Sequence, residues 1–267
     1  MKEEFNMNEI DYILMRYPTF IEIADSNSGH KSIFCKEKAL DDYNNLLNIL
    51  SSEDIKYYFL NTENSSSEVF IGDIGFMLDD TIFISNMRSA SRKKETKKLI
   101  EFAKKNKMNH YIFENSIEGG DVVIGNSTIF VGISQRTTEA AIEELREYIE
   151  KKGLKYEVIP IKFDSDNKTH LNCVFNILDK KSALISEYVY DIEEIKKRIK
   201  KLYYIPNESA DNLGANVLVI GKKKVICSNT DTTRILRKAG YKVLCCEYDE
   251  MIKLGGGIAC STLPIMM

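Results

Sequence analysis

Three short stretches of the chain combine a potentially reactive side chain with glycines or other small residues, at positions 118–121, 170–172 and 255–261. Each lies beside an apolar, strand-like run. In chain order they supply a carboxylate, an imidazole and a thiol, the side chains of a nucleophilic cysteine site. In such a site the thiolate attacks, the imidazole transfers protons and the carboxylate holds the imidazole in one tautomer. The candidate catalytic residues are therefore Cys260, His170 and Glu118.

The composition is that of a globular protein, with 43% hydrophobic and 29% charged residues among 267. The formal net charge of −3, from 37 basic and 40 acidic residues, argues against a general nucleic-acid binder. No apolar run approaches the length of a membrane span, and the acidic N-terminus does not resemble a signal peptide. We therefore expect a cytoplasmic protein with no nucleic-acid partner and no membrane association.

The cysteine and histidine pattern argues against a metal site. Six cysteines are present without a Cys-x-x-Cys pair, and the chain has only three histidines. We expect reduced thiols, as in the cytoplasm, and neither a metal nor another cofactor. Four of the cysteines fall within apolar strand-like runs and are expected in the core: Cys173, Cys227, Cys245 and Cys246.

A repeated pattern suggests how the candidate residues are positioned. Four segments each open with Asp or Asn, run through an apolar strand, turn, and return as a second strand, at residues 73–86, 121–134, 172–186 and 216–229. Helix-like stretches follow at residues 91–106, 137–152, 192–202 and 231–239, and further strands follow at, for example, 156–161 and 241–246. A spacing of roughly 45–50 residues is typical of a propeller or an array. Residues 19–23, 36–50 and 57–60 could supply a degenerate fifth unit. We expect a single domain over residues 1–267.

Several motifs in the same order resemble the guanidine-modifying superfamily of dimethylarginine dimethylaminohydrolases, arginine deiminases and amidinotransferases. They are Phe76-x-x-Asp79, Asn86-Met87, Arg92-x-x-Glu95, Glu118-Gly-Gly-Asp121, Val131-Gly-x-Ser134-x-Arg136-Thr137, His170-Leu171 and Gly-Gly-x-x-Cys260. The resemblance runs from about residue 73 to residue 264, and the chain length is most similar to that of the dimethylarginine hydrolases. It implies an α/β fold, a five-bladed propeller of ββαβ repeats with pseudo-fivefold symmetry around a central site.

The resemblance also implies roles for individual residues. Cys260 attacks the guanidinium carbon and forms a thiouronium intermediate, His170 transfers protons, and Glu118 orients the imidazole. The substrate-binding residues that it implies are Asp73, Asp79, Arg92, Arg136 and the carbonyl group of Leu254. In this scheme Asp79 pairs with the guanidinium, and the two arginines bind an α-carboxylate. The expected partner is a small guanidino amino acid, and no sequence feature indicates an oligomeric state.

Two departures from the family pattern leave the substrate open. Leu78 stands where dimethylarginine hydrolases carry a Glu, and Asn172 stands where deiminases and amidinotransferases carry an Asp. The expected activity is hydrolysis of arginine or an N-substituted arginine to citrulline and ammonia or an amine. The alternatives are an amidinotransferase, which passes the amidino group to an amine, and a non-catalytic propeller that binds a partner.

Overall fold

Five three-stranded sheets form the framework of the computed structural model, which describes residues 10–23, 33–62 and 65–266. The strands in these ranges are β1 (Tyr12–Met15), β2 (Tyr57–Phe59), β3 (Gly75–Leu78), β4 (Thr81–Ile84), β5 (Asn109–Ile112), β6 (Val122–Ile124), β7 (Thr128–Ile133), β8 (Glu157–Lys162), β9 (Phe175–Asp179), β10 (Ser182–Ile185), β11 (Lys201–Tyr204), β12 (Leu218–Gly221), β13 (Lys224–Cys227), β14 (Lys242–Cys245) and β15 (Leu263–Ile265). The helices are α1 (Lys36–Ser52), α2 (Thr96–Lys105), α3 (Glu139–Lys152), α4 (Ile192–Lys196), α5 (Asn207–Asp211), α6 (Thr230–Lys238) and α7 (Asp249–Lys253).

Four of the sheets repeat one plan, in which an antiparallel hairpin is followed by a helix and then a parallel third strand. In the second of these, β6 pairs with β7 antiparallel, α3 follows, and β8 returns parallel to β7. The parallel return requires a crossover connection, which the helix supplies. The Thr138 hydroxyl caps the start of α3, and Gly153 ends it with a φ of 63°. The predicted hairpins and the predicted helix at residues 137–152 are confirmed.

The fifth sheet joins the two ends of the chain. Its middle strand β1 pairs antiparallel with β15 and parallel with β2, and α1 connects β1 to β2. Residues 19–23, which the sequence offered for the fifth unit, contribute no strand to this sheet, because Thr19 and Phe20 form a turn and no strand follows within this range. The strand lies earlier, where Ile13, Leu14 and Met15 are completely buried between neighbouring elements. The five sheets are the blades of an α/β propeller, as the sequence predicted.

Two other predicted elements are shorter in the structure. The helix predicted at residues 192–202 ends at Lys196, because Leu202 belongs to β11 and pairs with Ala183. The helix predicted at residues 91–106 begins at Thr96, after a 3-10 turn over Lys93–Glu95.

The inner edge strand of every blade, namely β3, β6, β9, β12 and β15, lines a central cavity of about 210 Å³. Each blade contributes at least one lining residue, for example Phe76, Val123, Ile177, Leu218 and Leu263. Short 3-10 turns precede three of these strands, at Ile71–Asp73, Gly119–Asp121 and Leu171–Cys173.

These turns meet closely near the axis. A Cβ atom at Gly119 would collide with the carbonyl oxygens of Gly72 and Gly75, the second at 2.6 Å. The residues at the starts of the inner strands are therefore brought together.

Three of the cysteines expected in the core are buried, namely Cys173, Cys227 and Cys246. The prediction for Cys245 was wrong, because it lies on the outer strand β14 and is exposed. Within the ranges that the structure describes, no helix combines the length and apolar composition needed to cross a membrane.

Candidate active site

Glu118 and His170 form a buried hydrogen-bonded pair at the starts of two neighbouring inner strands. Glu118 precedes the turn before β6, and His170 precedes the turn before β9. The His170 Nε2 atom lies 2.9 Å from Glu118 Oε2, and the two residues are 2% and 0% exposed. Cys260, which is 2% exposed, lies between α7 and β15 in the fifth blade. Three blades thus contribute the three predicted catalytic side chains.

The buried carboxylate of Asp121 positions the segments that carry this pair. Its Oδ1 atom accepts a hydrogen bond from the backbone N–H of Leu171, the residue after His170, at 3.0 Å. Its Oδ2 atom accepts hydrogen bonds from the hydroxyl groups of Ser134 and Thr137 at 2.6 and 2.7 Å. The Thr137 hydroxyl in turn accepts a hydrogen bond from the backbone N–H of Glu118. Asp121 therefore links both ends of the pair through short contacts.

Asp73 lies on the other side of the imidazole. Its Oδ1 atom is 3.5 Å from His170 Nδ1, and its Oδ2 atom accepts a hydrogen bond from Arg92 Nη1 at 2.7 Å. The Oδ1 atom is buried and has no hydrogen-bond partner among the described residues. A buried carboxylate oxygen in this state is available to an N–H donor, since burial without a hydrogen bond is costly.

The prediction that Asp79 pairs with the guanidinium is not supported by its position. Asp79 forms the turn between β3 and β4, and it accepts a hydrogen bond from the Tyr156 hydroxyl at 2.8 Å. Strand β3 runs outward from Gly75, so at about 3.3 Å per residue Asp79 lies on the order of 13 Å from the start of this inner strand. Leu78, which stands where dimethylarginine hydrolases carry a Glu, is completely buried in a hydrophobic cluster. Asp73 is the carboxylate that the first blade places beside His170.

The two predicted carboxylate-binding arginines have different surroundings. Arg92 is held by protein acceptors, since its Nε donates to Glu95, its Nη1 to Asp73, and its Nη2 to the carbonyl oxygens of Ser67 and Phe70. Its side chain is 11% exposed. The Arg136 side chain is 36% exposed, and its Nη1 atom lies 3.9 Å from Glu118 Oε1. Of the two, Arg136 is the guanidinium within reach of solvent.

Leu254 and Asn172 border the site in different ways. Leu254 follows α7, and its half-buried side chain packs against the hydrophobic cluster that contains Cys260. The role of its carbonyl group stays a prediction. Asn172 lines the central cavity, and its Oδ1 atom accepts a weak hydrogen bond from Cys173 Sγ at 3.7 Å.

Two residues that sequence reasoning did not assign to the site are Asp121 and Asn216. Asn216 is buried, and its side-chain amide lies 3.2 Å from Cys260 Sγ. Both residues are the Asp or Asn that opens a repeated segment, so the repeat itself was the available signal. In the part of the chain that the structure describes, no group of three or more His, Cys, Asp or Glu side chains is arranged to hold a metal ion.

The charges around His170 keep it protonated. Burial disfavours the imidazolium, but the negative charge of Asp73, the Glu118 hydrogen bond and the charge of Asp121 together raise the pKa of His170 to about 9. Burial acts to raise the pKa of Glu118, yet the hydrogen bond from His170 and the positive charges of His170, Arg92 and Arg136 together outweigh it, so the pKa is lowered.

The environment of the Cys260 thiol favours its uncharged form, whereas that of His170 favours the charged form. Burial, with the charge of Asp73, raises the pKa of Cys260 well above its usual value. In the free protein at neutral pH, the site therefore holds an imidazolium and an uncharged thiol.

The raised pKa of His170 predicts a pH-dependent loss of stability. The folded-state pKa exceeds the ordinary 6.5, so the extra stability is complete below about pH 6.5 and is lost as the pH rises through about 9. We expect the free energy of unfolding to fall by on the order of 3 kcal/mol across this window. Denaturant unfolding between pH 6 and 8.5, below the pH at which the raised pKa values of the buried thiols also affect stability, measures most of this decrease, and His170→Asn should remove most of it.

The matched control is His110→Asn, in which the replaced ring bonds to the Met108 carbonyl oxygen rather than a carboxylate. It should keep the wild-type pH dependence. An unaltered decrease in the His170→Asn variant would show that the buried pair is not its source.

Comparison with known proteins places this architecture in a family. Residues 21–267 match the family model described as N,N dimethylarginine dimethylhydrolase, eukaryotic. The uncharacterised protein YkgA of Bacillus subtilis is 33% identical over 234 residues, which cover 85% of this chain and 80% of YkgA. The N(G),N(G)-dimethylarginine dimethylaminohydrolase of Pseudomonas aeruginosa is 22% identical over 257 residues, or 94% of this chain and 98% of that enzyme.

A solved structure shows the same fold. The N-terminal domain of ArgZ, an arginine dihydrolase from Cyanobacteria, superposes with a TM-score of 0.85 at 18% identity, and the match covers 96% of this chain and 98% of that domain. The resemblance that the motifs indicated is therefore confirmed, and the chain belongs to the dimethylarginine dimethylhydrolase family.

Proposed function

We propose that this protein hydrolyses the guanidinium group of arginine or an N-substituted arginine, giving citrulline and ammonia or the corresponding amine. The observation that carries the proposal is the buried Asp73 Oδ1 atom, which has no hydrogen-bond partner among the described residues and lies 3.5 Å from the His170 ring. A guanidinium supplies planar N–H donors and a positive charge, and both suit this oxygen.

The protonation states suit a substrate that brings its own positive charge. A guanidinium bound at Asp73 offsets the negative charge that keeps the Cys260 thiol protonated, so the thiol can lose its proton to water and become a thiolate. The thiolate Sγ then attacks the guanidinium carbon. As the carbon–nitrogen bond breaks, the departing amine takes the proton of the His170 imidazolium, and a thiouronium remains on Cys260.

The same imidazole serves the second half of the reaction. Neutral His170 takes one proton from a water molecule as the water oxygen adds to the thiouronium carbon. The resulting hydroxyl group then gives its proton to solvent as the carbon–sulfur bond breaks, which releases citrulline and the thiolate. Glu118 balances the charge of the imidazolium and fixes the ring through its 2.9 Å contact with Nε2. The Nδ1 edge, on the side of Asp73, then faces the substrate.

The substrate's α-carboxylate is assigned to Arg136. Arg92 donates most of its N–H groups to Asp73, Glu95 and backbone carbonyls, so we propose that it positions Asp73 rather than binding substrate. Arg136 keeps an exposed guanidinium near Glu118, as expected for a residue that meets an incoming anion.

The relatives support both substrate forms. The Pseudomonas aeruginosa relative is named for dimethylarginine, and the ArgZ domain is an arginine dihydrolase. Leu78 lies in the core and Asn172 lines the central cavity, so their differences from the family pattern favour neither substrate. The proposal therefore covers arginine and N-methylated arginines.

Replacement of the nucleophile tests the proposal directly. With arginine and its N-methylated forms as substrates, Cys260→Ser should reduce citrulline formation to below about one thousandth of the wild-type rate, because a hydroxyl is scarcely ionised at neutral pH. Mass spectrometry of the products measures this, and it also detects any new guanidine formed when an acceptor amine is added.

The control is Cys245→Ser, which changes an exposed thiol on the outer strand β14 and should retain wild-type turnover. Substantial citrulline formation by Cys260→Ser would show that another group is the nucleophile. A new guanidine in place of citrulline would indicate amidino transfer instead of hydrolysis.

The assignment of the α-carboxylate to Arg136 has its own test. Arg136→Ala should lower kcat/KM for the preferred arginine substrate roughly 10- to 100-fold, the scale for losing a close charged partner. Its effect on agmatine, which lacks the α-carboxylate, should be much smaller. Arg234→Ala removes an exposed arginine paired with Asp231 on α6 and serves as the control. Equal losses on arginine and agmatine would contradict the assignment.

A further inference from the structure

Asn216 opens the fourth repeated segment, at the position that Asp73 and Asp121 occupy in the first two. It lies directly before β12 and is 1% exposed. Asp73 and Asp121 both act at the centre of the propeller, one beside the imidazole and the other beneath it. The Asn216 side chain reaches the same centre from the fourth blade and contacts the nucleophile segment.

The hydrogen bonds of Asn216 fix the orientation of its amide. The Oδ1 atom accepts hydrogen bonds from the backbone N–H groups of Ala259 and Cys260, at 2.9 and 3.2 Å. Only the oxygen of an amide can accept them, so the NH2 group must occupy the other position. There Nδ2 lies 3.2 Å from Cys260 Sγ and 3.5 Å from the carbonyl oxygen of Asn172.

We propose that Asn216 is a further catalytic residue, whose side-chain amide donates a hydrogen bond to the Cys260 sulfur while its oxygen holds the nucleophile segment in place. This inference rests on the proposed function, in which Cys260 is the nucleophile. A donor to sulfur stabilises the thiolate relative to the thiol, and it does so when the thiolate forms and again when it leaves the thiouronium carbon.

The other groups around the sulfur show why such a donor is needed. Burial and the negative charge of Asp73 raise the pKa of Cys260, and the nearby thiol of Cys173 acts in the same direction. Asn216 and the backbone of Gly257 act against them. Asn216 therefore counters the desolvation of a thiol that must ionise in a buried position.

The test is the pH dependence of Cys260 alkylation by iodoacetamide, followed by peptide mass spectrometry. Asn216→Asp keeps an oxygen for the two backbone N–H groups but replaces the donor by a carboxylate, and Asn216→Ala removes both contacts. In each variant the midpoint of alkylation should rise by roughly one pH unit or more, with kcat falling on the order of tenfold. Circular dichroism checks that each variant is folded.

Asn176→Ala is the matched control. Asn176 donates to the carbonyl oxygens of Ala215 and Val217, on either side of Asn216, so this variant disturbs the same segment without removing the donor to sulfur. Its alkylation midpoint should stay at the wild-type value. An unchanged midpoint in both Asn216 variants, or an equal rise in Asn176→Ala, would overturn the role of Asn216.

The two proposals fail separately. If the wild-type protein turns over no guanidine but the Asn216 variants still raise the pH midpoint of alkylation, the proposed function is wrong and the contact between Asn216 and the thiolate is supported. If Cys260→Ser abolishes turnover but the pH midpoint of alkylation is unchanged in the Asn216 variants, the proposed function is supported and the proposed role of Asn216 is wrong.

Discussion

The buried carboxylate of Asp121 is the contact on which the site geometry depends. Its two oxygens hold the backbone beside His170 and the hydroxyl group that binds the Glu118 backbone, so the relative position of imidazole and carboxylate is set by one side chain. Burial raises the pKa of Asp121 itself, and the positive charge of His170 and the hydrogen bonds to Asp121 offset part of this effect. Residues from different blades can form a catalytic pair in this fold because a group beneath the pair fixes both partners.

Charge balance explains why a guanidinium suits the site. Asp73 and Glu118 flank one imidazolium, and Arg92 neutralises part of the negative charge of Asp73. The remaining Asp73 oxygen has no hydrogen-bond partner in the described part of the chain. A cationic planar substrate completes the hydrogen bonding and lowers the cost of ionising the Cys260 thiol. In the proposed mechanism an uncharged substrate leaves the sulfur protonated, so we propose that one electrostatic interaction both selects the substrate and activates the nucleophile.

Periodicity in the sequence was sufficient to predict the four hairpin repeats, because alternating apolar runs and turn residues are local signals. The fifth blade was predicted only in part, since β15 and β1 are far apart in sequence and pair only when the propeller closes. Asp79 was assigned to the site through the family resemblance, but the β3–β4 turn carries it outward and Asp73 lies beside His170 instead. The repeat marks Asn216 as the residue that opens the fourth segment, but its contact with Cys260 joins two blades and forms only when the propeller closes.

In the proposed mechanism, Cys260 becomes covalently bonded to the guanidinium carbon. Acid quenching of the protein within its first turnovers of arginine or an N-methylated arginine, followed by peptide mass spectrometry, tests it directly. We expect a substrate-derived adduct on the peptide that contains Cys260, with the mass of the substrate less its departing amine. Adduct should accumulate further when His170 is replaced by Gly, because the water attack then lacks its base. Steady citrulline formation with no adduct on Cys260 in either protein, or an adduct on a different residue, would contradict the account.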